Sequence, residues 1–191
     1  MTTEGVTNKG SMQPVNLSFD LSSSPYFVKD NRNYILYQTS NQFPPMQNLS
    51  LVEVRLSKGH SVEPHWHPNA NELLYVADGE IVEEIFNPDA QQVLRYRLCP
   101  GQTVYIPTGW WHWTIAVAEQ SRLVVTFDNR EFESVFGSDI LRKTPPEVMQ
   151  AVYGVNAAAW KEVIAPITNT VIIGPPDDGG IRWRIGSKGS P

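Results

Sequence analysis

The chain has 191 residues, 41% of them hydrophobic and 18% charged, with a formal net charge of −5. That length supports one domain with a core of its own and room for extra arms. It holds no run of about 18 apolar residues, so no transmembrane helix is expected, and no cluster of Lys and Arg that would suit nucleic acid or an acidic membrane surface.

Residues 1–14 read as a polar, flexible leader without the basic-then-apolar pattern of a signal peptide. Residues 15–48 mix Asn, Ser, Pro and aromatics and form an N-terminal arm with one or two short strands, one at "YILYQ". From 49 to 128 short apolar-alternating runs follow one another: "LVEVRL", "ELLYV", "EIVEEIF", "QVLRYRL", "TVYIP", "HWTIAV" and "RLVVTF". Turn signals separate them: Asp78-Gly79, "NPDA", "CPG" and "PTG". Many short strands at this spacing predict an all-β antiparallel sandwich or barrel. Residues 129–165 carry a loop and short helices. One helix is expected to start at Thr144 as N-cap, with Pro145 first inside and Gly154 as its stop; a second is capped by Asn156. Residues 166–191 are rich in Gly and Pro and read as an extended or disordered tail. No internal repeat is visible, which makes one barrel.

Cys99 is the sole cysteine, so no internal disulfide forms; this fits a reducing, cytoplasmic location. With no basic neighbour, it is expected to be a packed, inert thiol.

Three of the four histidines fall within "KGHSVEPHWHPNANELLYVADGE". Strand residues two apart share a face, so His65 and His67 point the same way, and a neighbouring strand can bring Glu72 to them. His60 falls out of phase and reads as a loop residue. In "GQTVYIPTGWWHW", Pro107 and Gly109 break one strand and His112 opens the next. A hairpin there can carry His112 to the same face. Three imidazoles and one carboxylate suit a divalent transition metal, and a six-coordinate ion would keep two positions open for a small-molecule substrate, water or dioxygen. The plainer alternative is a set of histidines satisfied within a core.

The spacing matches both cupin motifs. Gly59, His65, His67, Glu72 and Gly79 stand at the intervals of the first, and Gly101, Pro107, Gly109 and His112 at those of the second; Ala116 replaces the usual closing Asn. Gly and Pro are each only about 5–7% of average sequence, so a chance match to both is on the order of one in a million. The resemblance implies a cupin jelly-roll barrel with short C-terminal helices. The segment "VVTFDNREFESVFGSDILRKTPPEVMQAVYGV" further resembles the region after the barrel in bacterial oxalate decarboxylases and germin-like proteins, a likeness covering most of residues 48–165.

That resemblance implies a metal-dependent oxidase, dioxygenase or decarboxylase. It points first to Mn(II), then Fe(II), Zn(II), Ni(II) or Cu(II), in a homodimer or higher homo-oligomer. Members of this group use a loop glutamate as general acid and an arginine three residues before the first histidine. Here Glu131 or Glu133 would be the acid, with Arg130 a partial substitute for the arginine, because the expected position is Val62. A small dianion in an apolar pocket without a cation is costly to desolvate, so a less charged oxygenated molecule fits better than oxalate. Tyr75, Tyr105, Trp110 and Phe127 are expected to line the pocket together with Val62, while Trp111 and Trp113 face away. A non-enzymatic metal- or ligand-binding protein is the second reading.

Overall fold

The computed structural model describes residues 15–175; the leader and the tail beyond 175 lie outside them. After a short helical turn at Leu21–Ser23 come β1 (Pro25–Val28), β2 (Tyr34–Gln38), β3 (Ser50–Ser57), β4 (Ser61–Trp66), β5 (Glu72–Asp78), β6 (Ile81–Asn87) and β7 (Gln92–Leu98). Then follow β8 (Thr103–Ile106), β9 (His112–Ala116), β10 (Gln120–Phe127), β11 (Val135–Phe136), α1 (Gly137–Lys143), α2 (Pro146–Tyr153), α3 (Ala157–Ile164) and β12 (Ile173–Gly174).

The strands form two antiparallel sheets, ordered β1-β2-β3-β10-β5-β8 and β11-β4-β9-β6-β7, with β12 also pairing β4. The two faces close on each other as a jelly roll. β10 shows why: its burial alternates residue by residue, turning Ser121, Leu123, Val125 and Phe127 inward. Leu56, Leu74, Ile81, Ile85, Ile106 and Leu123 are fully buried at the centre.

Register builds two interior rows across β6, β9 and β4. Ile85 pairs with His112 and His112 with His65; Glu83 pairs with Thr114 and Thr114 with Val62. The β4–β9 register slips between Val62 and His65. This irregularity lets two residues three apart both face inward, which simple alternation forbids.

Two glycines hold this frame. Gly79 has φ +79°, and a Cβ there would collide with the Gln120 carbonyl oxygen and sit 2.6 Å from Ser121 Cα. Gly109 has φ +80°, and its N–H donates to the His67 carbonyl at 2.9 Å, tying the turn before β9 to the end of β4.

Three expectations change. Thr144 ends α1, its hydroxyl donating to the Ile140 carbonyl at 2.6 Å, and Pro145 is the N-cap of α2. Consecutive prolines explain the shift: a residue before proline is pushed to extended backbone, so Pro145 stays outside and Pro146 takes the first helical position. Ile173 and Gly174, expected in an extended or disordered tail, are extended and ordered by pairing with Val62 and Ser61 of β4. Cys99 is exposed, because it follows β7, an outer strand with little buried surface. Asn156 caps α3 as expected, accepting from Ala158 and Ala159 N–H at 3.0 Å.

Candidate metal centre

His65 and His112 are cross-strand partners on β4 and β9, with ring centroids 4.1 Å apart. His67 comes just past the end of β4. Glu72 opens β5 in the facing sheet, so the carboxylate approaches from the opposite wall. One potential ligand atom from each of these four residues lies within 4.8 Å of all the others, and all four residues are buried.

Backbone carbonyls orient the rings. His65 Nδ1 lies 2.8 Å from the Glu63 oxygen, His67 Nδ1 2.7 Å from that of Glu133, and His112 Nδ1 2.9 Å from that of Trp110. A carbonyl only accepts, so each Nδ1 carries a proton, and in the neutral ring each Nε2 keeps its lone pair for the centre. The same arrangement fixes tautomer and aim in metal-ligating histidines.

His67 Nε2 and His112 Nε2 lie 3.1 and 3.2 Å from Glu72 Oε2. Neither contact is aligned as a hydrogen bond, and all three atoms are buried with no other partner. Orphaned polar atoms converging in a protein interior are costly unless something joins them. A divalent cation does so, and the His-His-Glu-His group could hold one. Without an ion the charges lean on each other. Burial disfavours charge on His112, but Glu72 beside it outweighs this and raises its pKa to about 9. Burial likewise opposes the Glu72 charge, and His112 and His67 overcome it, holding the carboxyl far below its ordinary range. Burial, with His112 and His67 alongside, keeps His65 neutral.

The cluster stands in a cavity that opens to solvent, of about 50 Å³. Val62 and Phe127 line it as expected, with aliphatic walls that include Val52, Leu74 and Val125. Tyr75 and Tyr105 do not: they are 42% and 56% exposed. Counting from Glu72, the two-residue period turns Leu74 inward and Tyr75 outward, and on β8 Val104 and Ile106 take the inner face. Trp110 precedes β9, so strand phase does not govern it; it packs against the core instead of lining the cavity.

The loop side chains are also turned from the cavity. Arg130 Nε donates to Ser40 Oγ at 2.9 Å, and Glu131 accepts from Ser40 Oγ and from Asn41 Nδ2, the latter at 2.7 Å. Asn69 brackets the loop, donating to the Glu131 carbonyl at 3.0 Å and accepting from Glu133 N–H at 2.9 Å. This presents Phe132 and Ser134 to the cavity. Glu133 serves through its carbonyl, which holds His67. Among the residues that sequence reasoning missed, Tyr26 lines the cavity from the arm.

Glu83 was also missed. It is fully buried; Thr114 Oγ1 donates to one of its oxygens at 2.5 Å and the other has no partner. Burial pushes its carboxyl up to about 8. Between its ordinary 4.5 and 8, the folded metal-free chain keeps a proton that the unfolded chain has lost. Its stabilising contribution is therefore full below about pH 4.5 and is lost as pH rises through 8. Glu83→Gln is expected to remove this slope. Urea unfolding with chelator present should show the variant gaining about 3 kcal/mol on the wild type between pH 5 and pH 8. An offset independent of pH would show that the carboxyl is not protonated in the fold.

The family model described as Cupin matches residues 23–160. The chain is 28% identical over 173 residues to a cruciferin of Brassica napus, covering 86% of this chain and 36% of that protein. It is 29% identical over 152 residues to an oxalate decarboxylase of Bacillus subtilis, covering 78% and 38%. A solved structure of Bacillus subtilis oxalate decarboxylase, which has Mn(II) centres, superposes with a TM-score of 0.76 at 24% identity, over 88% of this chain and 44% of that one. The chain thus spans less than two fifths of these two curated relatives. Among the described residues, no helix is long and apolar enough to cross a membrane.

Proposed function

The chain belongs to the cupin family, and from that premise we propose that it is a metal-dependent oxidoreductase or lyase acting on a small oxygenated organic molecule. The observation that carries this reading is the cluster of His65, His67, Glu72 and His112. Its four ligand atoms are buried and mutually close, and its imidazoles are held in the metal-binding tautomer.

A divalent ion in this centre would supply Lewis acidity, a water of lowered pKa, or a redox path to dioxygen. The carboxylate and imidazole set suits Mn(II) first, as in the decarboxylase relative, then Fe(II); Zn(II), Ni(II) and Cu(II) are also compatible. The protein's own residues do the rest. The Glu63, Glu133 and Trp110 carbonyls fix the rings. Val62, Leu74, Val125 and Phe127 exclude water and present an apolar wall to the substrate. No Lys or Arg lines the cavity among the described residues, so a neutral or weakly charged substrate is favoured over oxalate.

The single cysteine supports a reducing, cytoplasmic compartment. Exposed Leu73, Tyr75 and Tyr105 form an apolar patch on one sheet face that supports a homo-oligomer.

The test is to load the protein with Mn(II) or Fe(II) and follow dioxygen uptake, carbon dioxide release and substrate loss across small carboxylates, hydroxyketones and diols. Turnover that vanishes in His112→Ala with the fold intact supports the proposal. Tight retention of ligand without conversion across the panel would favour a non-enzymatic binding protein. That second reading draws on the outward-turned Arg130 and Glu131.

A further inference from the structure

Among the described residues, Tyr26 is the only titratable side chain lining the cavity outside the four-residue cluster. It comes from the arm. The β1–β2 register is interrupted between Pro25 and Phe27, at Tyr26 itself, and such an irregularity re-aims a side chain. Its ring packs edge-on against Tyr37 at 5.3 Å and lies 6.3 Å from Phe132. Phe132 stacks on Phe127 at 4.2 Å, and Phe127 lies 4.6 Å from His67.

A polar path runs beside this aromatic one. Tyr26 and Ser134 line the cavity together, close enough for the Ser134 hydroxyl to act on the phenol, and Ser134 Oγ lies 3.2 Å from His67 Nδ1. His67 Nδ1–H donates to the Glu133 carbonyl at 2.7 Å, with the Ser134 oxygen a longer second contact, and the Ser134 hydroxyl can donate toward the phenol oxygen. The phenol O–H is then the open end of the chain. Burial raises the Tyr26 pKa, so the phenol keeps its proton. The loop glutamates do not do this work: Glu131 is bound to Ser40 and Asn41, and Glu133 is exposed and outside the cavity lining.

We propose that Tyr26 is the substrate-contacting hydrogen-bond donor of the cavity. Its substrate is a compact, uncharged molecule with two oxygens, one for the cluster and one for the phenol. This rests on reading the cluster as a metal centre. Two oxygens are required because the cluster and the part-exposed Tyr26 are separate polar points in a lining that, apart from Ser134 and Thr114, is aliphatic and aromatic. Charge is disfavoured because no basic residue lines that wall among the described residues.

The probe is hydroxyacetone, small and uncharged with two oxygens, titrated into the Mn(II)-loaded full chain and its Tyr26→Phe variant. Phenylalanine keeps the ring packing and removes only the hydroxyl. Imidazole is the control, because it reaches a metal but offers no acceptor oxygen to the phenol. The expected result is about tenfold weaker binding of hydroxyacetone to Tyr26→Phe, with imidazole binding and metal content unchanged. Equal binding to both proteins, an equal loss for both probes, or no binding of hydroxyacetone to the loaded wild type would overturn the role of Tyr26 alone. A wild type that takes up no metal would overturn the metal-centre reading and this inference with it.

Discussion

Glu72→Gln is expected to lower affinity for a divalent cation by about a hundredfold or more, while the barrel remains folded. Loss of groups that merely orient a ligand already costs about 10–100-fold, and Glu72 is the one anionic member of the set. Glutamine keeps its shape, so the substitution removes charge and little else. Glu72 is also the group that raises the His112 pKa in the metal-free chain. Without it, three neutral imidazoles face one another with no counter-charge for a dication. Calorimetric titration with Mn(II) and Zn(II), alongside far-UV circular dichroism, measures both halves of the expectation. Unchanged affinity would mean that the cation binds elsewhere.

Glu63→Ala is expected to be the most destabilising single change near the site, by about 3–5 kcal/mol. Glu63 is buried on β4, where one carboxylate oxygen accepts from Ser138 N–H at 2.8 Å. The other accepts from Ser138 Oγ at 2.9 Å and from Ile172 N–H at 2.7 Å. One side chain thus fastens the start of α1 and the strand ending at Gly174 to the strand that carries His65. Alanine leaves the two backbone N–H groups without their acceptor, which costs more than a simple deletion. A loss of this size lowers the melting temperature by roughly 10 °C in a chain of this length. Glu63→Gln should be intermediate, since its amide keeps one acceptor oxygen but turns N–H donors toward another donor. Metal affinity should fall less than in Glu72→Gln, because the Glu63 carbonyl that holds His65 belongs to the backbone. Urea midpoints for the three proteins check the order; a Glu63→Ala midpoint equal to the wild type's would remove Glu63 from this role.

The barrel was legible because its signals are local. Apolar alternation marks each strand, and turn residues mark the gaps. The four cluster residues were legible for the same reason: His65 and His67 are two apart, Glu72 opens the following strand, and His112 follows a Pro and Gly break. What escaped depends on distant contacts. Asn69 brackets the loop some sixty residues away and turns Phe132 and Ser134 inward, where the loop sequence had suggested acids. Tyr26 reaches the cavity only through an irregular strand in the arm. Glu63 shows no motif at all, because its partners at Ser138 and Ile172 lie 75 and 109 residues ahead. Tyr75 was a different kind of miss: counting strand phase from Glu72 already places it outside, whereas Tyr105 is on the outer face through its pairing with Leu73.

A metal centre at this cluster requires a divalent ion held jointly by residues from both walls of the barrel. X-ray absorption at the metal edge, on protein loaded with Mn(II) and freed of excess by desalting, tests this most directly. The predicted result is one ion per chain with a nitrogen- and oxygen-ligated shell showing imidazole scattering, lost in Glu72→Gln. A folded protein that emerges without metal, or an ion whose spectrum is unchanged by Glu72→Gln, would contradict it.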